Sequence, residues 1–330
     1  MHFGVFSYAY STNLGDEIQT LSAMQYLPRV DTLLERDRLH WYRDSPPVFV
    51  IFNGWFTRLP SWPPPDCISP LFVAFHAARP ELLIDKRFVG YFKRHEPIGC
   101  RSLATLEAFR AIGVDAYFSG CLTLTLQRQP VERTGEIYAV DVEMGLYEKL
   151  VPERIRQMAI PMSHEFPNSA SPLLTRVKWN AAYLGLRGIY KWGRGGLLLR
   201  GAGDKLNRTR HAYRLSQAQA LLRKYSAAKL VITSRLHCAL PCLAMGTPVL
   251  LLRPDIDADP RFDGLRDLVR FHSDPNQAIR IDWEHPEPNP DAYLHFAAAL
   301  RERCRGVVSR VLGPEGARDT ATCLTAARVN

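Results

Sequence analysis

The sequence predicts an α/β protein built from two doubly wound domains, each on a parallel sheet. Three observations predict it. Short apolar, β-branched or aromatic runs alternate with helical patterns along most of the 330 residues. The alternation pauses in a glycine-rich basic stretch and then restarts, which separates two units. The length suits two domains or one large α/β unit, with at least one sizeable core.

The elements follow in order. His2–Tyr8 reads as a first strand, leading through the polar loop Ser11–Glu17 into a helix over about 16–26 with Ile18, Leu21 and Ala23 on its apolar side. Val48–Phe52 and Leu71–His76 have the composition of fully buried strands. Between them Trp62-Pro63-Pro64-Pro65 is confined to an extended loop. Gly90–Phe92 and Pro97–Gly99 bracket a short strand, and Ser102–Ile112 reads as a helix closed by Gly113. Ala116–Phe118, Ile137–Asp141 and Met158–Met162 are further strands. In the second half, Ser216 is read as the N-cap of a helix over Gln217–Tyr225, followed by a strand over Leu230–Ile232. A helix over Arg235–Met245 with Gly246 at C′, the strand Pro248–Leu252 and a closing helix over Tyr293–Leu312 complete the pattern. The expected division is an N-terminal domain over 1–165, a C-terminal domain over 166–312 and a frayed tail over 313–330.

Composition narrows the classes. Apolar residues make up 46% and charged residues 23%, which excludes wholesale disorder. The longest apolar run, Cys238–Met245, is far too short to cross a bilayer, and Met1 is followed by no basic segment. A cytoplasmic protein is therefore expected. Seven cysteines without a C-x-x-C pair give no metal spacing, and Cys238 and Cys242, four residues apart, read as small core residues. The net charge of +9 has one source. Arg176–Arg214 holds ten basic residues against the single acid Asp204, and elsewhere the two signs balance. Trp179, Tyr183, Tyr190, Trp192 and Tyr213 are interleaved there. Such a segment suits an anionic surface, or is a solvated insertion.

The richest chemistry lies in Lys229–Leu252, which reads as strand, helix, strand. Ser234 is placed as the helix N-cap, with Arg235 and His237 in the first turn. An arginine, an imidazole and free backbone amides at one strand end form a site for phosphate or carboxylate. The bland alternative pairs Arg235 with a carboxylate and leaves His237 merely satisfied. Pro241 removes the bond to the carbonyl of His237, so the helix is free to bend there. At the first strand's carboxyl end, Gly15 permits a tight turn and Asp16 reads either as a helix cap or as a functional acid. His76 reads as structural.

Ser234-Arg235-Leu236-His237, with Ala239 and Ala244-Met245-Gly246-Thr247-Pro248, resembles the signature of the polysaccharide pyruvyl transferase family. Asn13-Leu14-Gly15-Asp16-Glu17 resembles that family's N-terminal N-x-G-D element, and Pro97-Ile98-Gly99-Cys100-Arg101 its mid-domain G-x-R turn. Ser119-Gly120-Cys121-Leu122-Thr123 falls where the family places its next strand end. The resemblance implies a GT-B-like pair of Rossmann-like domains facing a cleft. It also implies transfer of a pyruvyl group from phosphoenolpyruvate onto two hydroxyls of one sugar, with no metal or organic cofactor. By that likeness His237 and Asp16 are the expected catalytic residues. Arg235, Ser234, Arg101, Asn13, Gly15 and His164 are the expected substrate-binding ones. The family usually has an acid after the arginine of the turn, where this chain has Ser102. The expected partner is a sugar or lipid-linked oligosaccharide acceptor at the inner face of the cytoplasmic membrane, with 176–214 against anionic lipid and no nucleic acid. Two other classes compete: a GT-B glycosyltransferase using a nucleotide sugar, with Asp255 on the ribose, and a non-catalytic nucleic-acid binder. The binder ranks last, since the charge sits in one insertion.

Overall fold

The computed structural model describes residues 1–8, 11–43, 45–56, 62–166 and 196–326, with backbone alone for 196–207 and 314–326. The N-terminal unit runs β1 (His2–Ser7), α1 (Gly15–Met24), β2 (Thr32–Glu35), β3 (Val48–Phe56), β4 (Ile68–Ala77), α2 (Lys86–Lys93), β5 (Ile98–Cys100), α3 (Leu103–Ala111) and β6 (Ala116–Phe118). Its six strands lie in the order β2-β1-β3-β4-β5-β6, and every pairing is parallel. The second unit runs β7 (Ile137–Val140), α4 (Met144–Leu150), α5 (Glu153–Met158), β8 (Ile160–Met162), α6 (Gly196–Ala227), β9 (Leu230–Thr233), α7 (Leu236–Ala244), β10 (Val249–Leu252) and β11 (Phe271–His272). Its order is β11-β10-β9-β7-β8, again all parallel. Two parallel sheets with helices give the GT-B-like arrangement.

Burial on both faces explains the apolar strands. Along β3, Val48, Val50 and Phe52 join a core with Phe72, Phe75, Phe92 and Phe109. Phe49 and Ile51 point the other way, into a core with Leu300, Cys304 and Val308. Those three belong to the closing helix α8 (Leu294–Ala326), so the chain's last helix returns to cover the first sheet. The helix breaks at Gly313, yet its backbone is helical again to Ala326 where a frayed tail was expected.

Sheet membership moves the domain boundary. β7 and β8 pair with β9, not with the N-terminal strands, so the division falls between Phe118 and Ile137 rather than at 165. Two local expectations also change. Gly90–Phe92 lies inside α2, whose N-cap Asp85 accepts from Arg87 N. Ser216 sits within α6 and its hydroxyl donates to the Tyr213 carbonyl, so it caps nothing. Ser102 does cap α3, accepting from Thr105 N. Most of Arg176–Arg214 lies outside the described residues. Among the described residues no helix is long and apolar enough to cross a membrane.

Candidate active site at the domain seam

Both sheets aim their carboxyl ends at one place. β1 leads to Asn13–Asp16, β5 to Arg101, β7 to Asp141, β8 to His164 and β9 to Ser234–His237. Helix α1 joins the halves: Leu14, Ile18 and Leu21 pack with Leu236, Ala239, Leu240 and Leu243 of α7 and with Leu221, Leu222 and Tyr225 of α6. The backbone seals the same seam. Asn13 bridges antiparallel to Glu165, Leu14 N donates to the His164 carbonyl at 2.8 Å, and Phe166 N donates to the Thr12 carbonyl at 2.6 Å.

Gly15 suits that closeness. A methyl group at its Cα would stand 3.0 Å from Asn13 Oδ1 and 3.2 Å from His237 Cβ. The start of α1 therefore touches the first turn of α7 directly. Asn13 fixes the turn, its Oδ1 accepting from Gly15 N at 3.0 Å. The N-cap is Leu14, which leaves Asp16 in the first helical turn with its carboxylate engaged elsewhere. Ser11 Oγ and Gln19 Nε2 donate to it, and Arg36 stands 3.7 Å away.

The α7 side departs from expectation in three respects. Arg235 occupies the N-cap position with no side-chain cap bond, and Thr233 Oγ1 accepts from its N–H instead. Ser234 is thus not the cap; its Oγ accepts from Glu143 N at 2.7 Å and ties β9 to α4. Arg235 is held by Asp141 at 3.1 Å and Glu165 at 3.4 Å, as the bland alternative had it, while remaining about one-third exposed (37%). The third departure concerns His237. Its backbone leaves helical geometry at the residue whose carbonyl Pro241 frees. Burial and then Arg101 push its pKa well below the ordinary value. The half-buried ring is neutral at pH 7. Its Nε2 lies 3.4 Å from Arg101 Nη1, and because a guanidinium only donates, the ring proton belongs on Nδ1.

Arg101 is the unusual group. It is 1% exposed, and among the described residues no carboxylate lies within ion-pair distance. Nη1 donates to Gln19 Oε1 at 3.0 Å, and Nε is buried with no hydrogen-bond partner. Burial, the largest cause, lowers its proton affinity, yet arginine stays charged. A buried, incompletely bonded guanidinium costs several kcal/mol unless something anionic comes to it. His76, behind Arg101, is structural as expected: it is buried, bonds Ser102 Oγ at 2.9 Å, and burial with Arg101 brings its pKa to about 2.

His164 was expected in the cleft but its ring turns inward. It is 1% exposed, and Nε2 meets Tyr225 Oη at 2.7 Å with the rings stacked. It supports the seam from inside the core. Cys238 and Cys242 are fully buried as expected. Asp255, the expected ribose acid of the competing reading, is paired with Arg253 at 3.1 Å.

Sequence reasoning missed Glu17 and Arg214. Arg214 is the last member of the basic segment, but it is 2% exposed and grips the wholly buried Glu17 through Nε and Nη2. Its Nη1 also donates to the Ser11 carbonyl, so α6 holds the loop that carries Asn13 and Asp16. The signal was present only as an acid beside the glycine turn.

The fold is a two-domain α/β arrangement in which a buried guanidinium, Arg101, lies beside His237 where the carboxyl ends of the parallel sheets meet. A sequence model of the family described as polysaccharide pyruvyl transferase matches residues 83–256, over half the chain, and the protein belongs to that family. No curated protein matches it. Among solved structures, the chain is similar to one described as "a functional uncharacterized protein KP1_0663 from Klebsiella pneumoniae subsp. pneumoniae NTUH-K2044". Identity is 12% over 76% of this chain and 83% of that one, with a TM-score of 0.36, too loose a likeness to inform fold or function.

Proposed function

We propose that the protein transfers the pyruvyl group of phosphoenolpyruvate onto two hydroxyls of one sugar in a surface polysaccharide precursor. The product is a cyclic ketal and the leaving group is phosphate. One observation carries the reading: Arg101 is a buried cation without a carboxylate partner among the described residues, set beside His237 and within reach of the family signature. A small, multiply charged anion supplies what that guanidinium lacks. Arg235, already shared between Asp141 and Glu165, is the weaker and more accessible clamp.

Donor binding also changes His237. Negative charge against Arg101 and Arg235 raises the proton affinity that burial and Arg101 hold down. His237 then delivers a proton to the methylene carbon, and C2 acquires oxocarbenium character. The first sugar hydroxyl bonds to C2 as its proton passes to Asp16. The second hydroxyl bonds to C2 while the C–O bond to phosphate breaks, its electrons leaving on phosphate, which takes the second proton. Exchange with solvent resets Asp16 and His237. None of these steps calls for a metal or organic cofactor.

In this reading the enzyme works in the cytoplasm on a sugar or lipid-linked acceptor, with 176–214 against anionic lipid and no nucleic acid. Arg214 takes no part in that contact, because it is buried. The direct test supplies phosphoenolpyruvate with methyl pyranosides and a lipid-linked oligosaccharide. Phosphate release together with a product carrying one pyruvyl ketal supports the reading. Thermal protection by nucleotide sugars but not by phosphoenolpyruvate would sink it.

A further inference from the structure

We propose that Gln19 is a positioning residue that keeps the charge of Arg101 available to an anionic substrate. It does so by giving the guanidinium an uncharged acceptor. The inference rests on the pyruvyl-donor reading and adds a determinant of donor affinity to it.

Gln19 lies one turn into α1 and is 2% exposed. Its Oε1 accepts from Arg101 Nη1 at 3.0 Å, and its Nε2 donates to Asp16 Oδ1 at 3.3 Å. The two neighbours fix the amide's orientation, since arginine needs an acceptor and a carboxylate needs a donor. The backbone beneath is pinned as well: Asn53 Nδ2 donates to the Gln19 carbonyl at 2.8 Å. One amide therefore links the expected acid, Asp16, to the anion clamp, Arg101, and Arg101 reaches His237.

Helix α1 treats two buried arginines differently. Glu17 gives Arg214 a full carboxylate, whereas Gln19 gives Arg101 only an amide oxygen. A carboxylate at position 19 would have almost the same shape and would satisfy Arg101 permanently. It would then compete with the donor for the same cation and would place a second negative charge beside Asp16.

The test compares Gln19→Glu with Gln19→Met, using phosphoenolpyruvate and inorganic phosphate as probes, with circular dichroism to confirm folding. Charge-keeping predicts that Gln19→Glu raises the KM for phosphoenolpyruvate about tenfold to a hundredfold, the worth of one charge-assisted hydrogen bond. Binding by this variant should recover as the pH is lowered and the introduced carboxylate protonates. Gln19→Met should keep donor KM within about threefold while kcat falls, because charge is retained and alignment is lost. A merely structural amide predicts the opposite order, since Glu still accepts from Arg101 and Met cannot. Gln19→Glu binding donor as well as wild type, or Gln19→Met losing more affinity than Gln19→Glu, overturns the inference. Should Gln19→Glu fail to fold, Gln19→Met decides alone: a tenfold loss of donor affinity overturns it, and retention with lowered kcat supports it. A wild-type protein that binds neither probe refutes the donor reading itself, a separate outcome.

Discussion

Arg101 and Arg214 are both buried at the domain seam, and they are partnered in opposite ways. Arg214 grips Glu17 through two nitrogens and the Ser11 carbonyl through a third. Arg101 has an amide oxygen, an imidazole nitrogen 3.4 Å off and a bare Nε. Each also depresses a neighbouring histidine, His211 beside Arg214 and His237 beside Arg101, with burial the larger cause in both. Breaking a buried pair leaves a costly uncompensated charge, whereas a buried charge that already lacks a counter-charge is the candidate for binding an anion.

Substitution should separate the two most sharply. Arg214→Met leaves Glu17 as an uncompensated buried carboxylate, and chemical denaturation should show a loss of about 3–5 kcal/mol. Arg101→Met removes an unmatched charge instead, so stability should stay within about 1 kcal/mol of wild type or rise. Equal losses in both would erase the distinction.

Acid should act next. His76, His211 and His237 all have pKa values below the ordinary 6.5 when folded, with His211 near 4 and His76 near 2. The unfolded chain therefore binds more protons once the pH drops below about 6.5. Stability is complete above that value and is lost as pH falls towards the folded pKa values, by about 1.4 kcal/mol per unit for each histidine. Glu17, its pKa raised mainly by burial, acts in the opposite sense around the carboxylate range. Denaturation midpoints from pH 7 to 5 should reveal the slope, and His211→Gln should remove one histidine's share. A flat profile would mean that these rings protonate within the fold.

The smallest effect belongs to a bond near the signature. Ser234→Ala removes the acceptor for Glu143 N and should cost about 1 kcal/mol, leaving donor KM unchanged. A large rise in KM would instead place Ser234 among the donor-binding residues, as the family resemblance implies.

Much of this architecture was legible from local pattern. Strands such as Val48–Phe52 and Leu230–Ile232 are buried on both faces and read as such, and Gly246 with φ +67 ends α7 as its sequence implies. Pairing was not legible. Ile137–Asp141 and Met158–Met162 look the same whichever sheet they join, so the boundary at 165 could not be corrected without seeing β7 beside β9. The short edge strands β2 and β11 carry too few residues to show a period. In the site, the residue types at Asn13, Asp16, Arg101, Arg235 and His237 were readable, and the surroundings of Arg101 and His237 were not. The depressed pKa of His237 depends first on burial and then on Arg101, 136 positions away, and the matching of Arg214 depends on Glu17, 197 positions away. His164 shows the converse: its position near the junction was readable, but its bond to Tyr225 was not.

The central claim is that the unmatched charge of Arg101 belongs to phosphoenolpyruvate. Titrating phosphoenolpyruvate into wild type and Arg101→Met by calorimetry, in two buffers of different ionisation enthalpy, tests it most directly. The account predicts binding with proton uptake in wild type, as His237 charges, and at least about a hundredfold weaker binding in Arg101→Met. Equal affinity in the two proteins would contradict it.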